Sequence, residues 1–336
     1  MISARAALVV LAALALAACG DDDDAAVHAD AAASVADGAP GVPDGAPGVP
    51  DGAVADAHAG CNARDLDPAW LEDYEQEVLG KITGATEIAP GLKVTDRASD
   101  ANKAAVRTYL QAELTALGYV PHTQAFENNG LNVYARLGTG GRPVVIMGAH
   151  YDGIGPVNGH PVAAAADDGT GTALVMAAAR WFKDVDCLDT DVVFVFFDQE
   201  EVGLVGSNYF AQKLLDDHET VVAVHSYDMI SFDGDGDKAL ELWEPSPALQ
   251  SLYESVAPMF GSKVVLAPTF EFSDHKSFLD DGFVATGIGE EFVNGDHTAN
   301  YHKPTDTYDK VNFDYLQLIT RVAFAAVSTQ AAPNAP

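Results

Sequence analysis

The chain has 336 residues, of which 48% are hydrophobic, so it is long enough for one large globular domain or two small ones. Its formal net charge of -32 at pH 7 excludes nucleic acid and anionic lipid surfaces as electrostatic partners, because both would be repelled. A chain this acidic is better suited to binding cations.

The first 19 residues, "MISARAALVVLAALALAAC", contain an arginine, an apolar run and small residues before Cys19. This pattern predicts a secretory signal and is too short for a transmembrane span. The ending "LAAC" resembles a bacterial lipobox, which implies that Cys19 carries the lipid. The alternative is an ordinary signal peptide cut near "ALA". We therefore expect an exported lipoprotein of the bacterial cell envelope, in the outer membrane or facing the periplasm, that contacts the membrane through this anchor alone.

Residues 20–60 repeat the unit "DGAPGVP" and are rich in Gly, Pro and Asp. Such a composition has too little apolar surface to fold and predicts an extended, disordered tether. The globular domain is then expected over residues 61–336. Two further cysteines, Cys61 and Cys187, lie in this region. An even number of cysteines in an exported domain is consistent with one disulfide, although sequence cannot show that the two are close together.

Helical and strand patterns alternate along the predicted domain. Helical spacing of apolar residues covers 65–82, 96–119, 169–185, 207–217, 246–260 and 312–328. Continuous apolar runs typical of buried strands cover 143–152, 191–198, 221–230, 238–244, 263–268 and 283–290. This order predicts an α/β fold in three layers, with a mostly parallel mixed sheet covered by helices on both faces.

Polar residues follow several of the predicted strands at the point where each strand ends. They are His150 and Asp152, Glu200 and Glu201, and Asp228. Asp167 and Asp168 precede a predicted helix, and His302 lies late in the chain. Each has an ordinary alternative explanation, such as a helix cap for the aspartates. Ligand sites of α/β sheets lie beyond the carboxyl ends of the strands, however, and a set of His, Asp and Glu without thiolate suits a catalytic zinc site.

Five segments together resemble the co-catalytic zinc exopeptidases. They are "HYD", "ADDGTG", "FDQEEVGLVGS", "YDM" and "YHKPTDT", and the resemblance covers about residues 95–325. This family includes bacterial secreted aminopeptidases, with glutamate carboxypeptidases and glutaminyl cyclases as more distant relatives. The double-glutamate segment is the most specific of the five.

The resemblance implies a pair of zinc ions bridged by Asp167, whose peptide bond to Asp168 would be cis. His150 and Asp228 would complete the ligands of one ion. Glu201 and His302 would complete those of the other.

The same resemblance implies how the site would work. Glu200 would be the general base for a zinc-activated water, and Asp152 would orient the imidazole of His150. Tyr301 matches a position where some relatives place a tyrosine that stabilises the oxyanion. His275, in "FSDHKSF", would lie on the substrate side.

The function that follows is a metallo-aminopeptidase with two zinc ions acting on peptides. Three alternatives remain open: a glutaminyl cyclase with one zinc ion, an exopeptidase of the glutamate carboxypeptidase type, and a non-catalytic binding protein on the same fold. The binding protein is the least favoured, because such relatives lose metal ligands. Neither the oligomeric state nor the preferred N-terminal residue can be read from the sequence.

The segment "DGDGDKALELWE", residues 233–244, superficially matches a calcium loop. Lys238 occupies the position where such a loop needs glycine, and "ALELW" is typical of a strand rather than a helix. The pattern therefore favours an acidic hairpin turn.

The lipobox leads to a test. Replacing Cys19 with alanine should release the protein from the membrane fraction or block its maturation, because the lipid chains on this residue supply the anchoring. Membrane fractionation and gel mobility measure the effect. Unchanged fractionation and mobility would contradict the lipoprotein prediction.

Overall fold

Eight strands form one sheet at the centre of the computed structural model, which describes residues 65–185 and 187–332. The strands are β1 (His122–Ala125), β2 (Leu131–Leu137), β3 (Val144–His150), β4 (Asp191–Phe197), β5 (Val221–Tyr227), β6 (Ala239–Trp243), β7 (Lys263–Ala267) and β8 (Ala285–Gly289). Their spatial order is β1-β2-β4-β3-β5-β8-β6-β7.

The four central strands, β4, β3, β5 and β8, run parallel to one another. Every residue of β3 and of β4 is buried, as expected for apolar runs covered on both faces. At the margins β1, β2 and β6 pair antiparallel, with β2, β4 and β8 respectively. The predicted mixed, mostly parallel sheet is confirmed.

Helices cover both faces of this sheet. They are α1 (Leu71–Ile82), α2 (Asp100–Ala116), α3 (Thr170–Phe182), α4 (Val205–Asp216), α5 (Pro247–Val256), α6 (His275–Asp280) and α7 (Phe313–Ala331). Alternate residues of β3 belong to different cores. Val145 and Met147 pack with residues of α1, α2, α3, α5 and α7, whereas Val144 and Ile146 pack with residues of α4 and α6. The three-layer arrangement is therefore as predicted.

The structure differs from the sequence predictions in several local elements. β1 and β2 were not predicted, because their residues are partly exposed and form no continuous apolar run. The short helix α6 was not predicted either. The hairpin expected at residues 233–244 is wrong: a turn occurs there, but it leads into β6, which pairs with β8 and β7 rather than with β5.

The chain crosses from one side of β3 to the other, and this creates the crevice that holds the polar strand ends. The connection from β3 to β4 passes through α3, whereas the connection from β4 to β5 passes through α4 on the opposite face. Such a switch point opens a gap beyond the carboxyl ends of the central strands, which is where α/β folds bind ligands.

Asp198 anchors the loop that follows β4. Its carboxylate is fully buried and accepts hydrogen bonds from Lys103 Nζ (2.9 Å), from an Arg107 guanidinium nitrogen (3.2 Å) and from the amide of Leu131 (3.1 Å). The two cations offset the cost of burying this charge. These contacts fix the backbone directly before the turn that carries Glu200 and Glu201.

The predictions for Cys19, the tether at 20–60 and Cys61 lie outside the described residues. Cys187 is disulfide-bonded, and the pairing with Cys61 stays a prediction. No helix among residues 65–185 and 187–332 is both long and apolar enough to cross a membrane.

The Asp198 anchor generates a stability test. Asp198→Ala leaves buried Lys103 without its partner, so the free energy of unfolding should fall by about 3–5 kcal/mol. Asp217→Ala is the matched control, because it breaks an exposed pair with Lys213 one helical turn away and should cost less than about 0.5 kcal/mol. Chemical denaturation measures both. Equal losses in the two variants would contradict the anchoring role.

Candidate metal centre

Asp152 ties together the ends of β3 and β4. Its Oδ1 lies 3.5 Å from Nδ1 of His150 and accepts the backbone amide of Glu200 at 3.1 Å. Its Oδ2 accepts the amide of Glu201 at 3.3 Å. The carboxylate therefore fixes the double-glutamate turn by two hydrogen bonds and faces the imidazole of His150.

Asp167 lies between the two predicted histidines, one carboxylate oxygen facing each. Its Oδ1 is 3.3 Å from Nε2 of His150, and its Oδ2 is 3.1 Å from Nε2 of His302. The peptide bond between Asp167 and Asp168 is cis, as the resemblance implied. The position of the Asp167 carboxylate, with one oxygen toward each histidine, is the placement that a bridging carboxylate requires.

Two groups of potential ligands surround this carboxylate, each with its ligand atoms within 4.8 Å of one another. One group is His150, Asp168 and Asp228, and the other is Asp167, Glu201 and His302. In the first group Nε2 of His150 lies 3.7 Å from Asp228 Oδ1, and in the second Nε2 of His302 lies 3.1 Å from Glu201 Oε2. All five predicted ligands therefore converge on one place.

Asp168 joins the first group although no metal role was predicted for it. Its Oδ1 already accepts the amides of Gly171 (2.7 Å) and Met229 (3.3 Å). Asp168 thus holds the first turn of α3 against the loop after β5. That is the capping alternative considered for this pair of aspartates.

Several buried donor and acceptor atoms of the site have no hydrogen-bond partner among the described residues. They are both ring nitrogens of His150, Oδ2 of Asp167, Oε1 of Glu201 and Oδ1 of Asp228. Unpartnered buried polar atoms are costly and rare in folded proteins. Imidazole nitrogen and carboxylate oxygen without thiolate are the donors of catalytic zinc sites, so these residues fit a pair of zinc ions.

Without metal, protons take the place of cations in this cluster. Burial opposes the charge of His150, but neighbouring carboxylates, first of all Glu200, outweigh it and raise its pKa well above the usual value. Burial also opposes the charge of His302, whereas the carboxylates of Asp167 and Glu201, each with an oxygen 3.1 Å from Nε2, raise its pKa to about 10. Both imidazoles are therefore charged near neutral pH in the metal-free protein.

Glu200 lies within reach of the metal groups but is not one of their members. Its Oε2 is 3.9 Å from Nε2 of His150, and burial, together with Asp274 and Asp228, raises its pKa well above the usual value against the opposing effect of His150. Tyr301 also lines the cleft and stacks on the ring of His302, with centroids 3.9 Å apart.

An aromatic wall forms part of the lining of the cleft. We give this name to Trp243, Phe270, Phe272 and Phe292, which line the cleft together with Glu200 and Tyr301. The rings of Trp243 and Phe270 are stacked with centroids 4.1 Å apart. The sequence reasoning missed this wall, because its members come from separate loops and strands.

His275, predicted on the substrate side, lies behind the aromatic wall. It is fully buried, and its ring packs against those of Trp243 (5.7 Å) and Phe270 (6.3 Å). Burial lowers its pKa to about 4, so the imidazole is neutral. Asp274, for which no role was predicted, is the neighbour that influences the site. Its carboxylate is buried without a hydrogen-bond partner among the described residues, and burial raises its pKa to about 7.

The fold and the side-chain cluster define an α/β protein with a candidate metal centre at the carboxyl ends of its central parallel strands. A family model described as "Peptidase family M28" matches residues 132–327. The match covers more than half of the chain, and the protein belongs to this family. The resemblance to zinc exopeptidases is thereby confirmed.

Two curated relatives illustrate the similarity. The probable leucine aminopeptidase 2 of Aspergillus fumigatus is 26% identical over 310 residues, which cover 83% of this chain and 59% of the relative. The probable lipoprotein aminopeptidase LpqL of Mycobacterium tuberculosis is 28% identical over 237 residues, which cover 60% and 45%. The chain thus spans about half the length of these relatives.

Solved structures show the same fold. The LapA aminopeptidase of Legionella pneumophila superposes with a TM-score of 0.70 at 19% identity, covering 80% of this chain and 74% of that chain. The glutaminyl cyclase of Porphyromonas gingivalis superposes with a TM-score of 0.69 at 17% identity, covering 80% and 100%. Since enzymes of two activities match equally well, the fold alone does not separate them.

The charged imidazoles lead to a test of metal binding. Zinc binds neutral imidazole, so its addition to the metal-free protein at pH 7.5 should release roughly two protons, one from each histidine. His302→Gln should release about one fewer. Because protons compete with the metal, affinity should rise as the pH rises toward the pKa of His302, about 10. Calorimetry in buffers of different ionisation enthalpy measures the release, and a value near zero would contradict the protonated cluster.

Proposed function

We propose that this protein is an aminopeptidase that uses two zinc ions to remove N-terminal residues from peptides. The single observation that carries the proposal is Asp167, whose two carboxylate oxygens face two different histidines at 3.3 and 3.1 Å. A carboxylate shared in this way is what a pair of metal ions needs. The membership in peptidase family M28 supports peptide bonds as the target.

His150, Asp167 and Asp228 would hold one zinc ion, and Asp167, Glu201 and His302 would hold the other. When bound, such a pair polarises the scissile carbonyl and lowers the pKa of a water molecule. Glu200 would take the proton of that water and pass it to the leaving amine. Its position beside the ligands, near enough to His150 for a 3.9 Å contact, suits that transfer.

Tyr301 would act on the opposite side of the carbonyl. Its ring is held by stacking on His302, and its side chain is about 40% exposed at the cleft. Burial and the nearby carboxylates, first of all Asp167, raise the pKa of its hydroxyl, so the group stays protonated. A protonated phenol at this place can donate a hydrogen bond to the developing oxyanion.

The charge of the cleft favours a free amine over a free carboxylate. The described residues that line the cleft include Asp167, Glu200 and Asp228, and no lysine or arginine is among them. A carboxypeptidase needs a cation for the terminal carboxylate of its substrate, usually an arginine. A cleft whose described lining holds no lysine or arginine lacks that cation, which supports an aminopeptidase over the glutamate carboxypeptidase type.

Glutaminyl cyclase is the second candidate, and the shared fold favours it. The two activities differ in metal content, because the cyclase would use one zinc ion. The second ligand group, with Nε2 of His302 3.1 Å from Asp167 and from Glu201, supports two ions.

A lipid-anchored position in the cell envelope remains part of the proposal, and the likeness to LpqL supports it.

The adjacent glutamates test the mechanism, because their replacements should fail in different ways. Glu200→Ala removes the base and leaves the ligands, so turnover should fall by about 10²–10⁴-fold with two zinc ions still bound. Glu201→Ala removes a ligand and should lose about one equivalent of zinc. Metal analysis and turnover of amino-acid p-nitroanilides measure both variants, and each is the other's matched control.

The outcomes separate the candidates. Metal loss from Glu200→Ala with full metal in Glu201→Ala would reverse the two roles. One zinc ion in the wild type with cyclisation of glutaminyl peptides would establish the cyclase instead. Release of C-terminal residues from peptides would establish a carboxypeptidase.

A further inference from the structure

Arg97 is a buried cation beside the metal centre that the proposed mechanism does not use. It lies in the turn before α2 and is completely buried. Its guanidinium donates to four backbone carbonyl oxygens, those of Tyr151 (2.8 Å), Ala163 (2.8 Å), Ala164 (2.6 Å) and Asp167 (3.3 Å). It therefore joins the loop that directly follows His150, the last residue of β3, to the segment that carries Asp167.

Asp306 holds the same segment from its amide side. Its carboxylate is 1% exposed and accepts the backbone amides of Ala166 (2.8 Å) and Asp167 (3.2 Å). Asp306 lies four residues after His302, in the same loop. It therefore joins the loop of the second histidine to the segment that carries Asp167.

Together the two side chains form a clamp, by which we mean Arg97 on the carbonyl side and Asp306 on the amide side of residues 163–167. The clamp explains an unusual backbone. Ala164 has φ 56° and ψ 50°, a left-handed conformation that is costly for a residue with a Cβ and persists where the surroundings enforce it. The hydrogen bond from Arg97 to the carbonyl of this residue supplies that constraint.

The clamp is also balanced in charge. Burial lowers the pKa of Arg97, and the negative charges of Asp306, Asp168 and Asp167 act against that decrease. The guanidinium makes no ion pair within 4 Å among the described residues, so all of its directional bonding goes to backbone. Its geometry is suited to holding a loop in place.

We propose that Arg97 and Asp306 are positioning residues that hold the Asp167 carboxylate between His150 and His302, so that one carboxylate serves both metal positions. The inference rests on the proposed pair of zinc ions. It adds that two residues outside the proposed ligand sets, Arg97 and Asp306, fix the position of the bridging carboxylate of Asp167.

Asp306→Asn tests the amide side of the clamp. The asparagine oxygen can accept one amide, but its NH₂ group faces the other, so Asp167 is held less firmly. The affinity for the more weakly bound zinc ion should fall by about 10–100-fold, as is typical when the partner of a ligand is lost. Competition with a chromophoric chelator, well below the melting temperature, measures this affinity. The visible spectrum of the cobalt-substituted protein reports the change in ligand geometry.

Asp191→Asn is the matched control. Asp191 is also fully buried and accepts from Arg136 (2.8 Å) and from the amide of Gly140 (2.9 Å), but it lies at the start of β4, away from the site. It should lose stability while keeping the affinity for both zinc ions. Two variants test the carbonyl side. Arg97→Lys should bind the more weakly held zinc ion with lower affinity than the wild type, and Arg97→Met with lower affinity still.

Two results would overturn the inference alone: wild-type affinity for both ions in Asp306→Asn, or an equal loss of affinity in Asp191→Asn. If Arg97→Met does not fold, the two aspartate variants still decide the matter. A wild-type protein that binds no zinc would overturn the proposed function, and the inference with it. The two failures are therefore distinguished by the wild-type titration.

Discussion

The carboxylate of Asp167 is the constraint on which the rest of the site depends. One oxygen must face His150 and the other His302, although these residues belong to segments 152 positions apart in the chain. A shift of the backbone at Asp167 would move the carboxylate from both partners at once. The sheet order places the loop after β3 beside the loops after β4 and β5, and so provides the space in which this carboxylate lies.

Several acidic groups in one crevice repel one another, and positively charged side chains at two distances from the crevice offset this repulsion. Inside the site, the carboxylates raise the pKa values of His150 and His302, and the charge on these imidazoles offsets part of the repulsion. One layer farther out, Lys103 and Arg107 hold Asp198 at the root of the double-glutamate turn. Neither cation lines the cleft, and no lysine or arginine is among its described lining residues.

Local pattern was sufficient to predict the fold class and the residues that end the central strands. His150, Glu200, Glu201 and Asp228 each follow an apolar run that belongs to a buried strand, and parallel strands bring their carboxyl ends to one edge. The first two strands, β1 and β2, were not predicted, because partly exposed strands lack such a run. The hairpin at 233–244 was wrong because strand pairing is a long-range choice, which the local turn pattern does not determine.

The sequence by itself therefore determined which side chains could form the metal centre. The chemistry and spacing of these side chains are properties of the local sequence, so they do not depend on the detailed packing. Only the tertiary structure decided what surrounds that centre. The clamp of Arg97 and Asp306 and the aromatic wall around Trp243 join segments that are far apart in the chain. Their members carry no local signal, because burial and contact across such distances arise only when the whole sheet and its helices are assembled.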